Sequence, residues 1–200
     1  MPFADESLTR IPRLQNFILS LSNLLEETQD ESTIISSGKV FMEQLVKSDD
    51  WLPEAFARPN PDKYQQFLLY LDHQERFSIV SFVWGPGQFT PVHDHTVWGL
   101  VGLLRGSEIS QAYDYHDQGN LIPSGPPVRM RPGEVELVSP TIGDIHQVSN
   151  GLNDQLSISI HVYGADIGKV RRHIFRADGT VKEFISGYSN PAGQEFSLNP

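Results

Sequence analysis

Two histidines separated by one residue can bring two imidazoles to a single metal ion. The chain carries one such pair, His93 and His95, in the stretch FTPVHDHTVWG. If that stretch is a strand, alternate side chains share a face, so both histidines point one way and Asp94 the other. The plain alternative is a pair of half-exposed strand histidines. A second patterned stretch is Leu156-Ser-Ile-Ser-Ile-His-Val-Tyr163, in which Ser159, His161 and Tyr163 alternate. On a strand these three project from one face and can hydrogen-bond in a row. An ordinary strand with a polar face toward solvent, or a satisfied core tyrosine, is the alternative there. Beside a metal centre, the tyrosine hydroxyl could orient bound oxygen or donate a proton.

The elements that must position these side chains read as mostly β. Ile11, Leu14, Ile18, Leu21 and Leu25 fall at spacings of three and four, which puts them on one helix face. A weaker helical segment runs from about Gly38 to Lys47, and Pro53, Pro59 and Pro61 break the pattern. From Tyr64 onward, short β-branched and aromatic runs alternate with turn signals. The expected strands are Phe77–Trp84, Val97–Leu104, Glu108–Tyr115, Val135–Val138, Ile145–Val148, Leu156–Tyr163 and His173–Phe175. Many short strands with regular turns indicate a sandwich or barrel rather than a parallel α/β sheet. The expected organisation is a helical region over residues 1–60 packed on a barrel with its tail over residues 61–200, forming one structural domain. The last fifteen residues, SGYSNPAGQEFSLNP, read as coil along the surface.

Composition limits the function. The 200 residues hold 15 Lys and Arg against 25 Asp and Glu, a net charge of −10. That balance disfavours nucleic acid or an anionic membrane as a partner, though not a local arginine pocket for a small anion. The chain has no cysteine, which excludes disulfides, thiolate zinc, iron–sulfur clusters and a catalytic thiol. Any metal must be held by His, Asp, Glu or backbone oxygen. The opening MPFADESLTRIPR has acidic residues where a secretion signal needs basic ones, and no apolar run reaches the ~20 residues of a membrane span. The expected location is cytoplasmic. There is no phosphate-binding glycine loop, dinucleotide fingerprint or Gly-x-Ser-x-Gly elbow.

Gly87, His93 and Gly106 form one block, and Gly133, Pro140, Gly143, His146 and Asn150 form another in GEVELVSPTIGDIHQVSN. Together they resemble the paired motifs of the cupin superfamily. That resemblance implies a mainly β chain, a double-stranded β-helix (jelly-roll barrel) with an N-terminal helical cap, and His146 as third ligand beside His93 and His95. Gly99 and Leu100 stand where many cupins carry a glutamate ligand. Three neutral imidazoles leave a divalent ion its full charge and open positions, suited to an anionic substrate and a small second ligand such as dioxygen. The same ligands would also suit zinc.

With Ser159, His161 and Tyr163 added, the chain resembles the thiol dioxygenases of the cysteine dioxygenase family. The resemblance implies one Fe(II) per chain, with a small thiol and O2 as partners and a sulfinic acid as product. Animal members carry a cysteine that cross-links to the tyrosine, and here Gly99 appears in its place. They also carry a carboxylate-binding arginine two residues after an early tyrosine. The matching stretch Tyr64-Gln-Gln-Phe67 puts Gln66, or Gln65 if the alignment slips, at that position. This resembles the bacterial glutamine-type branch associated with 3-mercaptopropionate, in which a later arginine holds the carboxylate. Adjacent Arg171 and Arg172 face opposite ways on a strand, and the spacing after His161 resembles that of the family arginine at Arg172. Tyr163 or Gln66 would assist it, with Tyr64 nearby and Trp98 lining the cavity. His73 and His116 read as exposed loop residues and His173 as structural. The rival readings are an L-cysteine dioxygenase, a zinc or nickel cupin, and a non-enzymatic binding or sensing module. The oligomeric state stays open.

Overall fold

The computed structural model describes residues 11–115 and 121–190. His116 lies outside these residues, as do the last ten residues of the tail. Helix α1 (Pro12–Glu27) opens with a proline, whose fixed φ suits a first helical position, and buries Leu14, Phe17, Ile18 and Leu21. Helix α2 (Glu31–Val46) starts well before Gly38, where the sequence pattern placed it. Its first turns are rich in serine and β-branched residues, weak helix formers. They are held by the Asp30 side chain, which accepts from Thr33 N at 2.8 Å, and by burial of Ile34 and Ile35.

The strands among the described residues are β1 (Gln65–Leu71), β2 (Ser78–Trp84), β3 (Val92–His93), β4 (Gly99–Arg105), β5 (Glu108–Tyr115), β6 (Leu121–Pro123), β7 (Val128–Met130), β8 (Val135–Val138), β9 (His146–Asn150), β10 (Ser157–Tyr163), β11 (Arg172–Phe175) and β12 (Val181–Phe184). One sheet runs β1-β2-β10-β4-β8 and the other β12-β11-β3-β9-β5-β6, with β7 on β5. All the pairings are antiparallel. This is the interleaved strand order of a double-stranded β-helix, a jelly-roll barrel, with two helices at its N-terminal side.

The first sheet is covered on both faces, so β2 and β10 are buried along their whole length. Ile158, Ile160 and Val162 of β10 join Ile79 and Val83 of β2 in a core shared with the helices. The alternate residues of β2, Val80, Phe82 and Trp84, turn inward with Tyr163. The polar row of β10 therefore faces the barrel interior, because helices occupy its other side. The stretch considered as a strand carrying both His93 and His95 is strand only as far as His93; His95 lies in the segment that follows, where Thr96 takes φ 61°. None of the described helices is long and apolar enough to cross a membrane.

Candidate functional site

His93 on β3 lies directly opposite His146 on β9, and the segment leaving β3 returns His95 to the same point. One ligand atom from each lies within 4.8 Å of the others, and all three residues are buried. Their ring centroids are 4.8–5.0 Å apart. Each Nδ1 is occupied from behind. That of His93 faces Pro91 O at 3.0 Å, and that of His95 faces Asp144 O at 3.2 Å and Asp144 Oδ1 at 3.1 Å. That of His146 faces Ser110 Oγ at 3.4 Å, and the Ser110 hydroxyl donates to Glu136 Oε1 at 2.9 Å. Such partners accept from Nδ1–H and leave the Nε2 lone pairs facing one another. His95 Nε2 is buried with no hydrogen-bond partner. An orphaned acceptor of this kind, converging with two further imidazoles, fits a divalent metal.

The electrostatics agree with neutral rings at His93 and His146. Burial, aided by the nearby His95, pushes the His93 pKa down to about 3. Burial, with the neighbouring imidazoles of His95, His93 and His161, holds His146 well below its ordinary value. Burial would raise the Asp144 carboxyl, but hydrogen bonds from His95 and Thr96 outweigh it and keep the group ionised.

Beside the histidines runs the row from β10. Ser159 Oγ lies 2.8 Å from His161 Nε2, and His161 Nδ1 lies 2.8 Å from the Tyr163 hydroxyl. Trp84 Nε1 donates to Ser159 Oγ at 3.3 Å, and Phe82 stacks on the His161 ring at 4.0 Å. The Tyr163 ring faces His95 at 5.3 Å. Gly99 pairs with Tyr163 across the sheet, and a Cβ there would fall 2.9 Å from the tyrosine ring. Burial raises the Tyr163 pKa and lowers that of His161. Behind the row lies Glu108, fully buried, with no well-directed hydrogen bond to either oxygen. Burial pushes its pKa up to about 8, partly offset by the Ser159 and Ser157 hydroxyls.

These groups open onto a cavity of about 340 Å³. His93, His146, His161 and Tyr163 line one side, and the stacked aromatics Tyr64, Phe82 and Trp84 another. Arg172 also lines it, 4% exposed, donating from Nη2 to Ser186 Oγ at 2.6 Å and lying 4.7 Å over the Phe184 ring. Its Nε has no partner, and among the described residues it forms no ion pair. No acidic side chain is among the described residues that line the cavity.

Both pairs left open by the sequence separate clearly. Arg171 points outward to Glu183 at 2.9 Å, and Gln65 donates to the Lys63 and Tyr64 carbonyls. Gln66 lines the cavity but gives its amide to the carbonyls of Ser186 and Gly187, at 3.3 and 3.0 Å. Trp98 lies away from the cavity, packed against the helix-side core. His173 has a structural partner: Asp94 accepts from its backbone N and faces its Nδ1, both at 2.7 Å, fastening β11 beside Arg172 to the segment that carries His93 and His95.

Sequence reasoning missed Asp144, Ser110 and Glu136 behind the three histidines. Asp144 was the most accessible of these, two residues before His146 in GDIH. It also placed residues 186–190 in a surface coil, whereas Ser186 forms cavity wall.

No protein-family model matches the chain. It is 24% identical over 194 residues to cysteine dioxygenase type 1 of the zebrafish Danio rerio, an alignment covering 93% of this chain and 92% of that one. Among solved structures, an uncharacterized conserved protein with a double-stranded β-helix domain from Klebsiella pneumoniae superposes with a TM-score of 0.46 at 14% identity, over 60% of this chain and 87% of its own. A cupin-like protein from Thermotoga maritima gives 0.43 at 14% identity, over 73% and 95%.

Proposed function

We propose that the chain is a mononuclear non-haem iron thiol dioxygenase. It converts a small carboxylated thiol, 3-mercaptopropionate before L-cysteine, to the sulfinic acid with O2. The observation that carries this reading is the clustering, beside one cavity, of three buried imidazoles, the Ser159–His161–Tyr163 row and a buried arginine without an acid. The similarity to zebrafish cysteine dioxygenase type 1 supports it. In balance, thiolate and O2 give sulfinate: sulfur supplies the four electrons, both oxygen atoms end on sulfur, and no outside reductant is needed.

His93, His95 and His146 would hold one Fe(II), whose chemistry is to gather thiolate and dioxygen at one centre. The protein's own part is binding, orientation and proton control. Arg172 takes the substrate carboxylate: a buried guanidinium with a single neutral hydrogen bond is a strong site for an anion, and a bidentate pair gives ~1.5–3 kcal/mol. The Tyr64, Phe82 and Trp84 wall excludes water around the carbon chain. Tyr163 points its hydroxyl into the cavity from a ring held by His95 and His161, and it orients the reacting oxygen and holds a proton there. The row is continuous, so a proton at Tyr163 is linked to one at His161 and Ser159. The absence of an acidic side chain among the lining residues leaves an α-ammonium without a charged partner, which favours 3-mercaptopropionate over cysteine.

The test is oxygen uptake by iron-loaded protein, with kcat/KM compared for 3-mercaptopropionate and L-cysteine. The reading predicts one sulfinate per O2 and preference for the thiol without the amine. A preference for cysteine would overturn the substrate assignment, and no uptake with either thiol in protein shown to hold iron would overturn the dioxygenase itself.

A further inference from the structure

We propose that Gln66 and Ser186 are positioning residues that set specificity for acid thiols, by clamping residues 184–190 over the carboxylate end of the cavity. This rests on the reading that Arg172 binds a carboxylate.

β1 is the outermost strand of its sheet, so its outward backbone groups need partners. The segment after β12 supplies them. Ser189 N donates to Gln66 O at 2.8 Å, and Gln66 N donates to Ser189 Oγ at 3.0 Å. Asn190 mimics a further pair: Leu68 N donates to its Oδ1 at 2.7 Å, and its Nδ2 donates to Leu68 O at 3.2 Å. Gly187 takes φ 63°, a left-handed turn that glycine adopts without strain, and its N donates to Gly168 O at 3.1 Å. Ile185 lines the cavity yet is 57% exposed.

The orientation of the Gln66 amide follows from its partners. Two backbone carbonyls only accept, so the atom facing them is Nε2 and the remaining atom is an acceptor. Gln66 therefore has no free donor for a carboxylate; its amide holds the strap. The strap in turn holds Arg172, through the Ser186 hydroxyl and the Phe184 ring. With the guanidinium fixed in one orientation before substrate arrives, less ordering is left for binding. An acid ligand is selected by this preset charge, and the wall at Ser186 limits how far its carboxylate can sit from the three histidines.

The experiment uses the whole protein with two readouts that need no turnover. These are deuterium uptake of residues 184–190 and the affinity for propionate, followed by intrinsic tryptophan fluorescence, to which the cavity-lining Trp84 contributes. Gln66→Leu should raise uptake in the strap and weaken propionate about tenfold. Ser186→Ala should weaken propionate similarly, and Ser186→Thr, which keeps the hydroxyl, should restore affinity to within about twofold of the original. Unchanged uptake in Gln66→Leu, or propionate affinity undiminished in both Gln66→Leu and Ser186→Ala, would overturn the proposal alone. Absence of propionate binding in the unsubstituted protein would overturn both the proposal and the carboxylate role of Arg172.

Discussion

Tyr163 meets His161 at its hydroxyl, His95 at its ring face and Gly99 across the sheet, so its chemistry can be separated from its packing. Tyr163→Phe keeps the ring and removes only the hydroxyl. It should lower kcat about a hundredfold while bound iron per chain stays the same; unchanged kinetics would remove the row from the mechanism. Asp144 acts one layer back. It accepts from the backbone N of His95 and of Thr96 and faces His95 Nδ1, so it fixes both the path of the segment and the ring tautomer. Asp144→Ala should weaken metal affinity about 10–100-fold, read by competition with a chelator. The Tyr163 row was legible in advance from its alternation, but the contacts of Asp144 were not. A His-x-His pair declares itself by spacing, whereas an aspartate that serves a histidine 49 residues away in sequence becomes visible only once β3 and β9 are paired.

The elements were legible to unequal degrees, and the reason is burial. Strands β5 and β8 lie at their expected bounds, and β2 and β10 announced themselves as apolar or alternating runs. The start of α2 did not, because the contacts that hold it are tertiary. Gly38 and Gly102 bring α2 close to β4: a Cβ at Gly38 would lie 3.0 Å from Leu100, and one at Gly102 would lie 2.8 Å from Val46. Gly102→Val should therefore destabilise by about 1–3 kcal/mol in denaturant unfolding, since the side chain would push Val46 and Met42. The β1–β2 hairpin is tied by Asp72, whose buried carboxylate accepts from Gln74 N, Arg76 N and the Arg76 guanidinium. Burial opposes its ionisation, but these bonds win and hold its pKa below the ordinary value of 3.8. A depressed carboxylate stabilises the fold fully above its unfolded pKa, and that contribution is lost as pH falls through the lower folded value. Asp72→Asn should accordingly lower Tm at pH 7 and shrink the difference from the original protein as the pH is taken below about 4.

At the scale of the whole molecule, the helices and the barrel do one thing together. Capping the outer face of the first sheet turns the Ser159–His161–Tyr163 face inward, where the second sheet presents His93, His146 and Arg172 and the segment after β3 adds His95. The chain's net charge of −10 is thus paired with a cavity whose one fixed charge among the described lining residues is positive. The barrel and its ligand blocks were readable from spacing and resemblance. The strap was not, since Ser-Gly-Tyr-Ser-Asn has the composition of any surface coil and acquires its role from the unpaired edge of β1. The whole arrangement is read most directly by turnover of 3-mercaptopropionate under ¹⁸O2 in ordinary water, followed by mass spectrometry of the product. A dioxygenase of this design should place labelled oxygen at both positions of the sulfinate. A sulfinate carrying solvent oxygen, or iron-loaded protein that forms no sulfinate, would contradict the account.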